Sequence, residues 1–193
     1  MQSHVVFRMA DACRKQGISS LRFNFRGVGR SGGIHDAGEG EQEDVVAALD
    51  FLAEREPRAT LWIAGFSFGA AVGARVGVRD ARVAALLLVG APVSMWPMEF
   101  LFESSKPMAF VSGDRDEFGD GLEALVARLP GPHRLWRVES TTHLFEPPAA
   151  PGDRSAASGQ EPSAQRAARS RLEAALAEAV GYLESVRLDL RFR

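Results

Sequence analysis

Five residues, Gly65-Phe66-Ser67-Phe68-Gly69, read G-x-S-x-G and stand between an apolar run, TLWIAGF, and a helical pattern, FGAAVGARVGV. A serine at the apex of a sharp strand-to-helix turn presents its hydroxyl above a sheet. The chain entering and leaving that turn passes so close to itself that the flanking residues must be small, as Gly65 and Gly69 are. The turn also aims the Phe68 amide, at the head of the helix, toward an oxyanion formed on an acyl group carried by Ser67. A serine hydroxyl is a poor nucleophile until a base takes its proton, and the base needs an acid to fix its tautomer. Both follow downstream, acid before histidine and each just past a strand pattern: Asp114 and Asp116 after PMAFVSG, His143 after RLWRVES. Asp114, directly after Gly113, suits the organisation of a turn through its own hydrogen bonds, so Asp116 is read as the acid. His4 at the chain start, His35 in a glycine-rich loop and His133 beside Pro132 read as surface residues.

A second glycine pattern competes for attention. In NFRGVGRSGG, residues 24–33, Gly27, Gly29 and Gly32 have the G-x-G-x-x-G spacing that cradles a pyrophosphate at a helix N-terminus. The context is wrong for that role. The loop runs on through IHDAGEGEQ before a helical face begins at Val45, and the acidic residue roughly 20 positions on, Asp50, falls inside that helix rather than at a strand end. A tight turn needing positive φ accounts for the glycines. No nucleotide is implied, and the serine chemistry calls for no metal or organic cofactor.

The elements that must position these groups alternate along the chain. Residues 3–16 form a helical pattern ended by Gly17, with Val6, Met9 and Cys13 on one face. LRFNF reads as a strand, and residues 41–55 as a helix with Val45, Val46, Leu49 and Leu52 on one face. TLWIAGF, VAALLLVGA, PMAFVSG and RLWRVES read as further strands, interleaved with the helices FGAAVGARVGV and GLEALVARL. Near-continuous apolar strands alternating with helices predict an α/β fold, a mostly parallel sheet with helices on both faces. A last helix begins at about Ala164, with Leu172, Leu176, Val180 and Leu183 at helical spacing. Before it, residues 147–163, PPAAPGDRSAASGQEPS, have almost nothing to bury and read as a disordered surface insertion.

Composition sets outer bounds. With 193 residues, 46% hydrophobic and 25% charged, the chain fits one domain over residues 1–193. Its net charge of −2 provides no basic field for nucleic acid. The single cysteine, Cys13, excludes an internal disulfide and reads as a small buried hydrophobe. The first 17 residues lack the apolar core of a signal peptide and the length of a membrane span, so a cytoplasmic protein without membrane attachment is expected.

Taken together, GFSFG, GDRDE and TTHLFE, preceded by LRFNFRGVGRSGG, resemble the α/β-hydrolase superfamily, and within it the small lidless bacterial hydrolases related to dienelactone hydrolases and esterases. The resemblance covers residues 3–146 and the final helix. It implies a Ser67, Asp116, His143 triad, oxyanion donation by Phe68, and a site rim shaped by Gly27, Gly29 and Ser31. The family's cap, when present, follows the strand corresponding to VAALLLVGA; here only PVSMWPMEFLFESSK intervenes, too short for a lid domain. Trp96, Met98, Phe100 and Phe102 within it either line an apolar acyl pocket or cover the sheet edge. The partner implied is a small-molecule ester or thioester.

The sequence departs from the family in one respect. The family takes its second oxyanion donor from a loop after a strand that lies upstream of the first helix and, in the sheet, between the equivalents of LRFNF and TLWIAGF. This reading therefore expects an N-terminally truncated α/β-hydrolase fold, either a serine esterase or a catalytically impaired domain serving as a binding module. The expectation has a direct check: an in-frame upstream extension encoding an apolar strand and a His/Gly/Pro-containing loop, expressed beside the 193-residue form, is the faster esterase by about a hundredfold, the worth of one oxyanion donor. Equal rates for the two forms contradict it.

Overall fold

The computed structural model describes residues 3–148 and 161–191. Four of the apolar runs are strands: Leu61–Phe66 (β1), Val83–Val89 (β2), Met108–Gly113 (β3) and His133–Val138 (β4). They form one parallel sheet in the order β1-β2-β3-β4. Parallel neighbours need long crossovers, and the chain supplies them. Phe68–Arg79 (here α3) joins β1 to β2, a 3-10 helix at Glu99–Glu103 joins β2 to β3, and the short Leu122–Val126 (α4) joins β3 to β4. His4–Lys15 (α1) and Gly40–Arg55 (α2) precede the sheet, and Ser163–Arg191 (α5) follows it.

The helices divide between the two faces. Val5, Met9 and Cys13 of α1 and Leu172, Leu176, Val180 and Leu183 of α5 pack with Ala85, Leu87 and Val89 of β2 on one face. On the other, Val45 and Leu49 of α2 and Ala70, Val72, Ala74 and Val76 of α3 pack with Val83, Leu86 and Leu88. The central strand β2 is apolar throughout because both its faces are covered. Its one irregularity is a register shift after Leu61↔Val83, so that Trp62 pairs with Ala85. That extra residue, Ala84, lets Val83 and Leu86 share a face despite their odd separation.

Two expectations are corrected. LRFNF is not a strand: residues 21–25 join no ladder, and Leu21 and Phe23 remain 39% and 38% exposed. A strand needs a hydrogen-bonded neighbour, and β1, the edge of the sheet, is held away from residues 20–25 by a slot of about 460 Å³. Met9 and Cys13 of α1 and Val45 and Leu49 of α2 line that slot, as do Ser67, Phe68 and Gly69. In α2 the apolar face is narrower than expected, since Val45 and Leu49 are buried whereas Val46 is 37% exposed. Cys13 is buried, and burial pushes its thiol pKa up, in keeping with a small hydrophobe. Most of the polar excursion expected at 147–163 lies outside the described residues, and α5 already begins at Ser163. Among the described residues no helix is long and apolar enough to cross a membrane.

Candidate active site

The serine sits in a conformation that only a tight turn imposes. Ser67 has φ +52° and ψ −119°, outside the basins that L residues ordinarily occupy, between the end of β1 and the first residue of α3, Phe68. Its N–H donates to Val89 O at 2.9 Å, which ties the turn to the end of β2. Gly65 is the residue the turn cannot do without. A Cβ there would stand 2.6 Å from the Ala70 nitrogen and closer still to the Gly69 carbonyl. Gly69 differs from the expectation, because a Cβ at that position meets nothing nearer than the Phe25 ring at 3.9 Å, ordinary contact.

Two further strand ends bring the acid and the base to this serine. His143, in the loop after β4, has its Nε2 2.8 Å from Ser67 Oγ and its Nδ1 2.9 Å from Asp116 Oδ1, in the loop after β3. His143 and Asp116 are buried. The imidazole is clamped between two rings, stacked on Phe66 at 5.2 Å and met edge-on by Phe118 at 4.7 Å. Phe118 is itself held to the acid, its N–H donating to Asp116 Oδ1 at 3.0 Å.

Asp114 does something else. Its Oδ1 accepts the Thr141 N–H at 3.0 Å, two residues before His143, so it pins the histidine loop without touching the imidazole. Partial burial works against its charge, but the Ser140 and Thr141 amides and the nearby Arg115 and Arg137 hold its carboxyl below the usual range. Two further glycines make room for these loops. At Gly90, after β2 with φ +54°, a Cβ would stand 2.9 Å from the Phe66 ring and 3.2 Å from His143 Cε1. At Gly113 it would run into the backbone carbonyls of Thr141 and Thr142.

The walls of the site differ in part from the sequence reading. Phe68 is met by three rings: Phe25 at 5.5 Å, His35 at 5.3 Å and Trp96 at 5.5 Å. Trp96 thus lies against Phe68, and Met98 is placed in the core. It is fully enclosed and packs with Leu101 into the core beneath the 3-10 helix. Phe100 and Phe102 are half-buried against the same core, with the guanidinium groups of Arg75 and Arg128 over their rings at 5.0 and 4.5 Å. The glycine loop folds on itself. Gly27 and Gly29 have positive φ, the Gly27 N–H donates to Gly32 O at 2.9 Å, and Ser31 Oγ donates to Asn24 O at 3.0 Å. Its reach to Phe68 comes from either side of this closure, through Phe25 and His35. His35 was unremarkable in the sequence, where it reads as a surface residue of the glycine-rich loop. Among the described residues no three His, Cys, Asp or Glu side chains form a metal-holding group.

A serine on a strained strand-to-helix turn, hydrogen-bonded to a histidine that is hydrogen-bonded to a buried aspartate, can do acyl-transfer chemistry. A family model described as an alpha/beta hydrolase domain matches residues 1–171. The chain belongs to the alpha/beta hydrolase family. It is 36% identical over 135 residues to an uncharacterized protein of Rickettsia prowazekii (strain Madrid E), covering 67% of this chain and 57% of that protein. The chain therefore spans less than two thirds of that relative's length. Among solved structures, an alpha-beta serine hydrolase homologue from Coxiella burnetii is 36% identical, with a TM-score of 0.70 over 75% of this chain and 70% of that one. XC6422 from Xanthomonas campestris, an a/b serine hydrolase without a lid, is 34% identical, with a TM-score of 0.69 over 75% and 66% of the two chains.

The two glycines of the elbow thus separate experimentally. Gly65→Ala forces the backbone at Ala70 aside and lowers stability by about 2 to 4 kcal/mol, with loss of any activity at Ser67. Gly69→Ala, on a helix with room for a methyl group, is neutral or stabilising by up to about 1 kcal/mol. Urea denaturation of the two variants decides the matter, and equal losses would contradict the asymmetry.

Proposed function

We propose that this alpha/beta hydrolase cleaves an ester or thioester of a small acyl substrate through an acyl-enzyme on Ser67. The observation that carries the reading is the unbroken hydrogen-bonded line from Asp116 through His143 to Ser67. With Asp116 accepting a hydrogen bond from Nδ1–H, His143 is held as the tautomer whose bare Nε2 takes the Ser67 proton. Ser67 Oγ then bonds to the acyl carbon, and the carbonyl π pair moves onto the oxygen, where the Phe68 N–H at the head of α3 stabilises it. Collapse breaks the bond to the leaving alcohol or thiol, which takes the proton from His143. Water repeats the sequence in the second half. It gives its proton to His143, attacks the acyl carbon and releases the acid, and the proton returns to Ser67 Oγ.

The lidless description of the Xanthomonas relative supports open access for a small substrate. Phe25, His35 and Trp96 around Phe68 make the acyl side of the site aromatic. A second reading, a catalytically impaired binding domain, draws on one observation: the slot beside β1, lined by Leu21, Phe23 and Phe25, reaches Ser67 and Phe68, so an apolar cavity runs beside the serine.

Kinetics on short-chain aryl esters test the assignment. Ser67→Ala abolishes turnover with the fold intact, and His143→Ala is nearly as damaging, because residues acting as a unit are not additive. Asp116→Asn loses on the order of a thousandfold or more, since the imidazole then rests in the wrong tautomer. Asp114→Asn loses far less, because Asp114 holds only the loop. A larger loss at Asp114 than at Asp116 would reverse the assignment of the acid, and wild-type rates in His143→Ala would remove the base.

A further inference from the structure

Glu41 is fully enclosed by protein, and the hydrolysis above makes no use of it. It lies in the first turn of α2, just beyond the glycine loop. Its Oε1 accepts the Asp36 N–H at 2.9 Å and stands 2.7 Å from His35 Nδ1, while its Oε2 accepts the Gly38 N–H at 2.8 Å. Between these contacts the backbone is left-handed at two successive residues, Ala37 with φ +48° and Gly38 with φ +96°. Alanine does not hold that conformation unaided. A buried charge left unpaired is strongly unfavourable, so three donors converging on one carboxylate make a fixed post. Burial pushes the Glu41 carboxyl up, but donation from Asp36, Gly38 and its own N–H holds it down at about 2, and the post is charged throughout the neutral range.

Two arms run from this post to one residue. The His35 ring lies 5.3 Å from the Phe68 ring. The Gly38 backbone presses on Trp96 so closely that a Cβ there would stand 2.9 Å from the indole, and Trp96 meets Phe68 edge-on at 5.5 Å. Two of the three rings around Phe68 are therefore placed by a carboxylate on another element. Phe68 directly follows Ser67, so its N–H belongs to the peptide that joins the serine to α3, and a ring held in place limits how far that peptide can shift.

We propose that Glu41 is a positioning residue of the active site, which fixes Phe68, and with it the N–H facing the reacting acyl oxygen, through His35 on one side and through Gly38 and Trp96 on the other. The kinetic consequence rests on the hydrolase reading; the positioning itself does not.

Two variants and their combination test it. Glu41→Gln keeps the shape but offers one acceptor oxygen in place of two, and His35→Ala removes one arm at the surface, where folding is not at risk. On p-nitrophenyl acetate each lowers kcat about tenfold with KM within about twofold, part of what full loss of an oxyanion donor costs. The double variant loses less than the product of the two, because His35 acts through Glu41. Independently of turnover, the 1H–15N resonance of the Phe68 amide shifts in both variants. It stays in place in Glu43→Gln, whose exposed carboxylate pairs with Arg26. An unmoved Phe68 resonance in His35→Ala overturns the proposal, as does wild-type kcat in that variant of an active enzyme. If the native protein turns over no ester yet the Phe68 amide shifts as stated, the hydrolase reading fails and the positioning stands.

Discussion

An imidazole can join an acid to a hydroxyl only where both lie within hydrogen-bond reach of its two nitrogens at once. His143 meets that condition with partners 27 and 76 residues away in the chain. Nothing local in the sequence can bring about such a meeting, and the parallel sheet does. With every strand running the same way in the order β1-β2-β3-β4, the carboxyl ends of β1, β3 and β4 lie along one edge, and each delivers one functional residue there. The strand between them, β2, contributes an empty space, since Gly90 leaves the volume that the His143 and Phe66 rings occupy.

The rest of the structure keeps those ends from moving. β2 is buried on both faces between α1 and α5 on one side and α2 and α3 on the other, so the sheet has little freedom to shear. Rings clamp the imidazole from two directions. Carboxylates other than Asp116 hold the loops: Asp114 anchors the histidine loop at Thr141, and Glu41 anchors the loop that carries His35. Catalysis by oriented dipoles requires such order before substrate arrives, because donors that must reorganise during the reaction stabilise its charge poorly.

Legibility in the sequence followed the range of the interaction. Strands buried on both faces were plain, because VAALLLV and MAFVSG have no other way to be so apolar. Ser67, Asp116 and His143, which the fold brings together, could be picked out because the turn chemistry and the strand-end position leave local marks. LRFNF misled, since alternating apolar residues indicate fitness for a strand and say nothing of a neighbour to pair with. Val46 and Met98 were misplaced for a related reason: helical spacing and an apolar side chain do not tell a core from a rim. Nothing local told what Gly90, Gly113, His35 and Glu41 do. Their roles are steric or electrostatic relations with residues on other elements, which appear only once the sheet has assembled them.

The central claim is that His143 and Asp116 make Ser67 a nucleophile. It is tested most directly by incubating the protein with a fluorophosphonate and locating the adduct by mass spectrometry. The account predicts one adduct, on Ser67. In His143→Ala, folded as judged by circular dichroism, labelling should fall by on the order of a thousandfold or more. An unlabelled Ser67 in the folded native protein, or labelling as fast without the histidine as with it, would contradict the account.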